Sequence, residues 1–151
     1  MNLKDKKYVI VEIIPTTSKK ETGVFAQISA LKIDGLKLID RFDYRINKNK
    51  IDNIDIINMI NYDEDKFNYV NSNKLMISKF KKFIEKMPLL IIDNSYTNSY
   101  LSYFDNEKYS VFDLLNIKVS DDSFDELMKK YNLKPSNYLV DLLYEALIKE
   151  I

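Results

Sequence analysis

The stretch "YVIVEIIPTT", residues 8–17, decides the fold because it joins a buried strand to a single acid. Tyr8 to Val11 form a largely β-branched, apolar run, which is typical of a buried strand. Glu12 stands at the end of that run, and Ile13, Ile14 and Pro15 follow it. Such an acid either marks the point where the strand meets solvent or belongs to a site built on the sheet.

Composition limits the chemistry that this chain can carry. The 151 residues are 46% hydrophobic and include no His, no Cys and two Gly. Thiolate zinc sites, disulfides, Ser–His and Cys–His nucleophile pairs and glycine-rich phosphate loops are therefore excluded. Any catalysis must use carboxylates, Lys, Tyr or hydroxyl groups.

Length and charge predict one domain of neutral overall charge. Residues 1–151 are enough for a single domain with a core. Lys plus Arg and Asp plus Glu each number 23, so no overall basic bias indicates a nucleic-acid partner, although a local patch remains open. We find no signal peptide and no membrane span, and we expect a soluble, cytoplasmic protein.

The first third of the chain predicts three antiparallel strands. Residues 7–14 form the first strand, and "GVFAQISALKI" and "LKLIDRFDYRI", residues 23–33 and 36–46, alternate in polarity as strands do. Asp34-Gly35 between them is a strong hairpin signal.

The rest of the chain alternates between helices and short strands. Residues 71–87 are amphipathic, with Ser72 or Asn73 as the cap. Within residues 51–67, Ile54, Ile57 and Ile60 have helical spacing, and a polar loop follows them. Helices are also predicted in residues 96–104, 120–133 and 135–151, and short strands at Leu89–Ile92 and Ser110–Leu114. We therefore expect an α/β fold in which a mixed five-stranded sheet is flanked by helices.

Three segments combine this order of elements with motif-like residues. They are "VIVEIIPTT" at residues 9–17, "LLIIDNSYTNSYL" at 89–101 and "SNYLVDLLYEAL" at 136–147. Together they resemble the motifs of the DEDDh-type 3′–5′ exonucleases, a family with a ribonuclease-H-like fold that includes the proofreading exonucleases of bacterial replicative DNA polymerases. The resemblance covers nearly the whole chain.

The resemblance assigns five positions to the family's catalytic constellation. Glu12 and Asn98 fall on two of its acids, Asp141 falls on the acid of the last motif, Ile14 falls on a lost acid and Ser136 on the lost general base. The family holds two divalent metals with four carboxylates. Only Glu12 and Asp141 retain a carboxylate, so metal binding there is expected to be weak if it occurs. Asp93 is a further candidate ligand.

Simpler interpretations stand beside these assignments. Asp141 fits an exposed helix position, and Asn98 fits a polar residue at a helix end. Tyr96, Tyr100, Tyr103 and Tyr109 fit base stacking, a protein interface or partial core burial. The lysine runs Lys48-Lys50 and Lys79-Lys81-Lys82-Lys86 fit solvated faces.

These departures predict a catalytically degenerate exonuclease-like domain, kept for binding nucleic acid or a protein in DNA replication or repair. No cofactor is expected in that case. One alternative is an active 3′–5′ exonuclease with an atypical site that uses Mg²⁺ or Mn²⁺. A second alternative is a structural or dimerisation module, since fold alone does not settle function.

Overall fold

The computed structural model describes residues 2–15, 25–47, 67–92, 100–135 and 139–151. The strands are β1 Lys7–Pro15, β2 Phe25–Asp34, β3 Lys37–Ile46, β4 Asn68–Val70, β5 Leu89–Ile91 and β6 Lys108–Ser110. The α-helices are α1 Asn73–Ile84, α2 Val111–Leu114, α3 Ser123–Tyr131 and α4 Leu139–Glu150, and short 3₁₀ turns cover Leu3–Asp5 and Leu101–Tyr103.

The strands form one mixed sheet in the order β4-β3-β2-β1-β5-β6. β1 pairs with β2, and β2 with β3, in antiparallel fashion. The outer strands β4, β5 and β6 join in parallel to β3, β1 and β5. The expected mixed α/β sheet with three antiparallel strands first is thus confirmed. The sheet has six strands rather than five because Asn68–Val70 adds an edge strand to β3.

Two apolar cores cover the two faces of the sheet. Helix α1 packs Met76, Phe80 and Ile84 on one face, together with Val9, Val11 and other sheet residues. Helices α2, α3 and α4 cover the other face, where the core contains the following sheet and helix residues: Tyr8, Ile10, Leu31, Ile33, Val140, Leu143 and Leu147. Because both faces are covered, β1 is a nearly continuous apolar run, as the sequence indicates.

The first hairpin turns where the sequence predicts it. Gly35 has φ of +64°, a left-handed conformation that glycine adopts without a side-chain clash. The Tyr8 hydroxyl donates a hydrogen bond of 2.9 Å to the Gly35 carbonyl, which ties the turn to β1.

The predicted strand at Ser110–Leu114 is wrong. β6 ends at Ser110, and Val111–Leu114 is helical. The Ser110 hydroxyl accepts a hydrogen bond from the Asp113 amide and caps that helix, so a short apolar run that reads as a strand turns into a helix instead.

The structure confirms some of the other predicted helices. The helix at residues 71–87 is confirmed as α1, with Ser72 as its cap, and the one at 120–133 as α3. The described part of residues 96–104 is a 3₁₀ turn at Leu101–Tyr103 after Tyr100. Nearly all of residues 51–67 lies outside the described residues. No helix in the described ranges is both long and apolar enough to span a bilayer.

Candidate functional site

Polar side chains gather on the face of the sheet that α4 covers. Glu12 pairs with Ser29, and Ser29 pairs with Asp43, so one row of three polar residues crosses β1, β2 and β3. Residues paired directly across strands point to the same face of a sheet. Gln27 and Arg45 form the adjacent pair of the same face, and the Gln27 side-chain amide donates to the Ser29 hydroxyl at 3.3 Å.

Helix α4 brings Asp141 to this face. Ile10 and Leu31 pair with each other and pack in the same core as Val140 and Leu143 of the helix. Arg41 pairs with Leu31 and therefore points to the same side. Glu12 and Asp141, distant in sequence, thus lie on one face of the sheet.

Arg41 binds two carboxylates from that position. Its Nη1 and Nη2 donate to Oδ1 and Oδ2 of Asp141 at 2.7 and 3.2 Å, and its Nε donates to Oδ2 of Asp43 at 3.0 Å. Partial burial alone would lower the pKa of Arg41, but the hydrogen bonds to Asp141 and Asp43 outweigh it and raise the pKa. The guanidinium therefore stays charged and neutralises both acids.

Glu12 lies apart from this ion-pair network. The residue is only partly exposed, and burial raises the pKa of its carboxyl group to about 7. Burial is the cause of the shift, and within the described part of the chain no cation offsets the loss of hydration. The charged form of Glu12 is therefore disfavoured by its burial.

Arg45 supplies a second cation, held within the protein. It is fully buried, its Nε donates to Oε1 of Gln27 at 2.8 Å, and its guanidinium carbon lies 3.6 Å from the centroid of the Phe67 ring. Stacking on an aromatic ring and a side-chain hydrogen bond are the usual means of holding a buried guanidinium.

Sequence reasoning missed Arg41, Asp43 and Arg45 as parts of this site. A signal was present in "DRFDYR", residues 40–45, because these three charged residues occupy alternate positions of one strand and must share a face. Charged residues on a strand are usually solvated. The pattern therefore indicates a site only when a helix covers that face of the sheet.

Of the other predicted site residues, Ile14 lies in the described part of the chain and three do not. Ile14 pairs with Gln27 and is buried, with no atom that can bind a metal. Asn98, Ser136 and Asp93 lie outside the described residues, so their predicted roles stay predictions.

The described tyrosines pack mainly against protein. Tyr100 is fully buried, with its ring 4.7 Å from that of Phe25, which leaves no face for a base. Tyr103 is partly buried and also packs on Phe25. Tyr109 donates its hydroxyl to Glu107. Tyr96 lies outside the described residues.

The residues that the structure describes do not fit a pair of divalent metals. Both carboxylate oxygens of Asp141 are already bound by Arg41. Within the described residues, no group of three or more acidic, His or Cys side chains is arranged to hold a metal ion. Two dications would need several free carboxylates to offset their mutual repulsion.

Strand order, register and the helices on both faces define a mixed α/β fold, which is consistent with a ribonuclease-H-like fold. Solved structures of exonuclease I share this fold. A product-bound structure matches with a TM-score of 0.60 and 11% identity over 95% of this chain and 42% of that one. A complex of exonuclease I with an SSB C-terminal peptide matches with a TM-score of 0.60 and 11% identity over 95% and 40%.

A third structure, Escherichia coli exonuclease I with a dA16 oligonucleotide, matches with a TM-score of 0.57 and 10% identity over 94% of this chain and 39% of that one. The chain therefore spans about two fifths of the length of exonuclease I. No protein-family model matches the sequence, and no curated protein is similar to it. At this level of identity the likeness establishes the fold alone.

Proposed function

We propose that residues 1–151 form one exonuclease-like domain that binds single-stranded nucleic acid without cutting it, in DNA replication or repair. The observation that carries the proposal is a combination of two features. The exonuclease I fold extends over 95% of the chain, while Arg41 binds the one carboxylate that the last motif supplies. Exonuclease I itself has been solved with an oligonucleotide, which supports the choice of ligand.

A local basic surface supports nucleic acid as the ligand despite the zero net charge. Helix α1 contains Lys74, Lys79, Lys81 and Lys82 and no acid, and all four lysines are exposed. The helix packs on the sheet face opposite Arg41 and Asp141. Phosphate contacts made by such lysines release counterions and give affinity without sequence preference.

Fluorescence anisotropy with a labelled single-stranded oligonucleotide tests the proposal. Binding should weaken steeply as salt rises, and it should not require a divalent ion. Lys74→Glu with Lys81→Glu should lower the slope of log affinity against log salt by about 1.4, because each phosphate contact contributes about 0.7 for a single strand.

A double variant with the same change in charge provides the control. Lys118 and Lys134 are exposed and lie outside α1, so Lys118→Glu with Lys134→Glu should retain most of the affinity. Absence of binding at low salt would refute the proposal, and so would Mn²⁺-dependent cutting of the oligonucleotide. Equal losses in the two double variants would rule out α1 as the interface.

A protein partner is the second candidate, favoured by an exposed apolar surface. Leu36 and Ile39, at the tip of the β2–β3 hairpin, are 45% and 46% exposed, and Ile148 of α4 is 36% exposed. The Tyr144 hydroxyl donates to the Leu36 carbonyl and joins the helix to the hairpin. Light scattering after size exclusion, comparing the unaltered chain with Leu36→Lys and Ile39→Lys, tests whether this surface dimerises.

A further inference from the structure

The mismatch between this site and a metal centre has a specific cause in one side chain. The guanidinium of Arg41 lies between a carboxylate of β3 and a carboxylate of α4 and binds both, at distances of 2.7 to 3.2 Å. A divalent cation bound by Asp43 and Asp141 would have to occupy this space. The guanidinium of Arg41 therefore already occupies the position that a divalent cation would need.

A second observation concerns Asp43. Its Oδ2 accepts from Arg41, but its Oδ1 is buried and has no hydrogen-bond partner among the described residues. The residue is only 8% exposed. A buried carboxylate oxygen without a partner is costly, and a small cation could satisfy it where the planar guanidinium does not.

We propose that Arg41 is a built-in cation that closes this face to divalent metals, and that its removal opens a cation site formed by Asp43 and Asp141. The inference rests on the noncatalytic part of the proposed function, but it does not depend on nucleic-acid binding. The ligand of the opened site is a hard divalent ion such as Mn²⁺, since the donors are carboxylate oxygens.

Charge and shape explain why Arg41 excludes the metal. The planar guanidinium of Arg41 donates two parallel hydrogen bonds to the carboxylate of Asp141, and a lysine ammonium group cannot reproduce this geometry. An incoming dication would meet a fixed positive charge about 3 Å from each ligand oxygen, and displacing the guanidinium would leave it partly buried without these partners. The unaltered chain should therefore bind no Mn²⁺ at this face.

Calorimetric titration and thermal unfolding with and without MnCl₂ test this directly on the whole chain. The variants are Arg41→Met, Arg41→Lys, Arg41→Met with Asp141→Asn, and Lys37→Met, which removes an exposed cation from the same strand. We expect no heat and no change in Tm for the unaltered chain, for Lys37→Met and for Arg41→Lys. Arg41→Met should bind Mn²⁺, with a rise in Tm of about 3–6 °C at ten times Kd.

The double variant assigns the ligand. Arg41→Met with Asp141→Asn should lose the Mn²⁺ response, because only one charged ligand remains. Mn²⁺ binding by the unaltered chain that Asp141→Asn removes would overturn the inference. A folded Arg41→Met variant with no Mn²⁺ response would overturn it too.

If Arg41→Met does not fold, Arg41→Gln takes its place, since glutamine retains a donor toward the acids while losing the charge. The same Mn²⁺ response is expected of it, and its absence has the same meaning. If the unaltered chain does not bind the oligonucleotide in the anisotropy experiment, the proposed function is refuted, but this inference is unaffected.

Discussion

Arg41 and Asp141 are 100 residues apart in sequence, yet their side chains meet through two hydrogen bonds of 2.7 and 3.2 Å. One residue lies on β3 and the other in the first turn of α4. The pair therefore joins the last helix to the antiparallel half of the sheet, on the face that also carries Glu12 and Asp43.

A double-mutant cycle on this pair should give a coupling of about 1 kcal/mol. Both side chains are about one third exposed, so solvent screens the interaction, but the bidentate geometry favours the upper end for surface pairs. Arg41→Met should cost more than Asp141→Asn because Arg41 also binds Asp43. Urea unfolding of both single variants and of the double variant measures the coupling. A coupling near zero would contradict a role for the pair in holding α4.

Glu12 should make stability depend on pH in an unusual direction. Its folded-state pKa of about 7 lies above the value of 4.5 for an unperturbed carboxyl. Between these values the folded state keeps a proton that the unfolded chain has lost, so the free energy of unfolding falls as pH rises from about 4.5 to about 7 and then levels off. Glu12→Gln should remove this dependence and stabilise the protein at pH 8, by about 1–3 kcal/mol.

Urea unfolding at pH 5 and pH 8 checks the effect of Glu12→Gln. Glu145→Gln on the exposed side of α4 is the matched control and should change stability little at either pH. If Glu12→Gln destabilises the protein at pH 8, the carboxylate has a partner that offsets its burial, and the prediction is wrong.

Nuclease activity on a single-stranded 3′ end is expected to be absent or very weak. Ile14 supplies no ligand, and the resemblance places Ser136 where an imidazole base would stand, a loss of about 10²–10⁴-fold. Mn²⁺-dependent digestion of a labelled strand is the measurement. Efficient digestion that Glu12→Ala abolishes would favour the active-exonuclease alternative.

Restoring nuclease activity should require more than substituting the three motif residues back to the family's residue types. Ile14→Glu, Asn98→Asp and Ser136→His together should give little activity while Arg41 still binds Asp141. Adding Arg41→Met to these three changes should raise the activity, because it frees the last carboxylate. Equal activity with and without Arg41→Met would show that the guanidinium does not limit the site.

Gly35→Ala should destabilise the first hairpin by about 1–3 kcal/mol. Its φ is +64°, and an added Cβ would lie 2.6 Å from the Lys4 carbonyl oxygen, which is backbone and cannot move cheaply. Thermal unfolding measures the loss. Asn116→Gly, at another position of positive φ, is the control and should change stability by less than about 0.5 kcal/mol.

Local patterns in the sequence were enough for most of the described elements. The alternation in residues 23–46 and the Asp34-Gly35 turn predict the antiparallel strands, and the amphipathic run with Ser72 predicts α1. Such signals depend on residues within a few positions of each other. The prediction failed at Ser110–Leu114 because so short a segment has no period that distinguishes a strand from a helical turn, and the Ser110 cap decided it.

The candidate site depended on contacts that no local pattern contains. Glu12, Ser29 and Asp43 share a row only because of the register of three strands, and a shift of one residue would place them on opposite faces. The sequence by itself determined the three long antiparallel strands, the principal helices and the absence of His and Cys. Only the tertiary structure decided that Arg41 meets Asp141, because their contact depends on how α4 packs across the sheet, far from either residue along the chain.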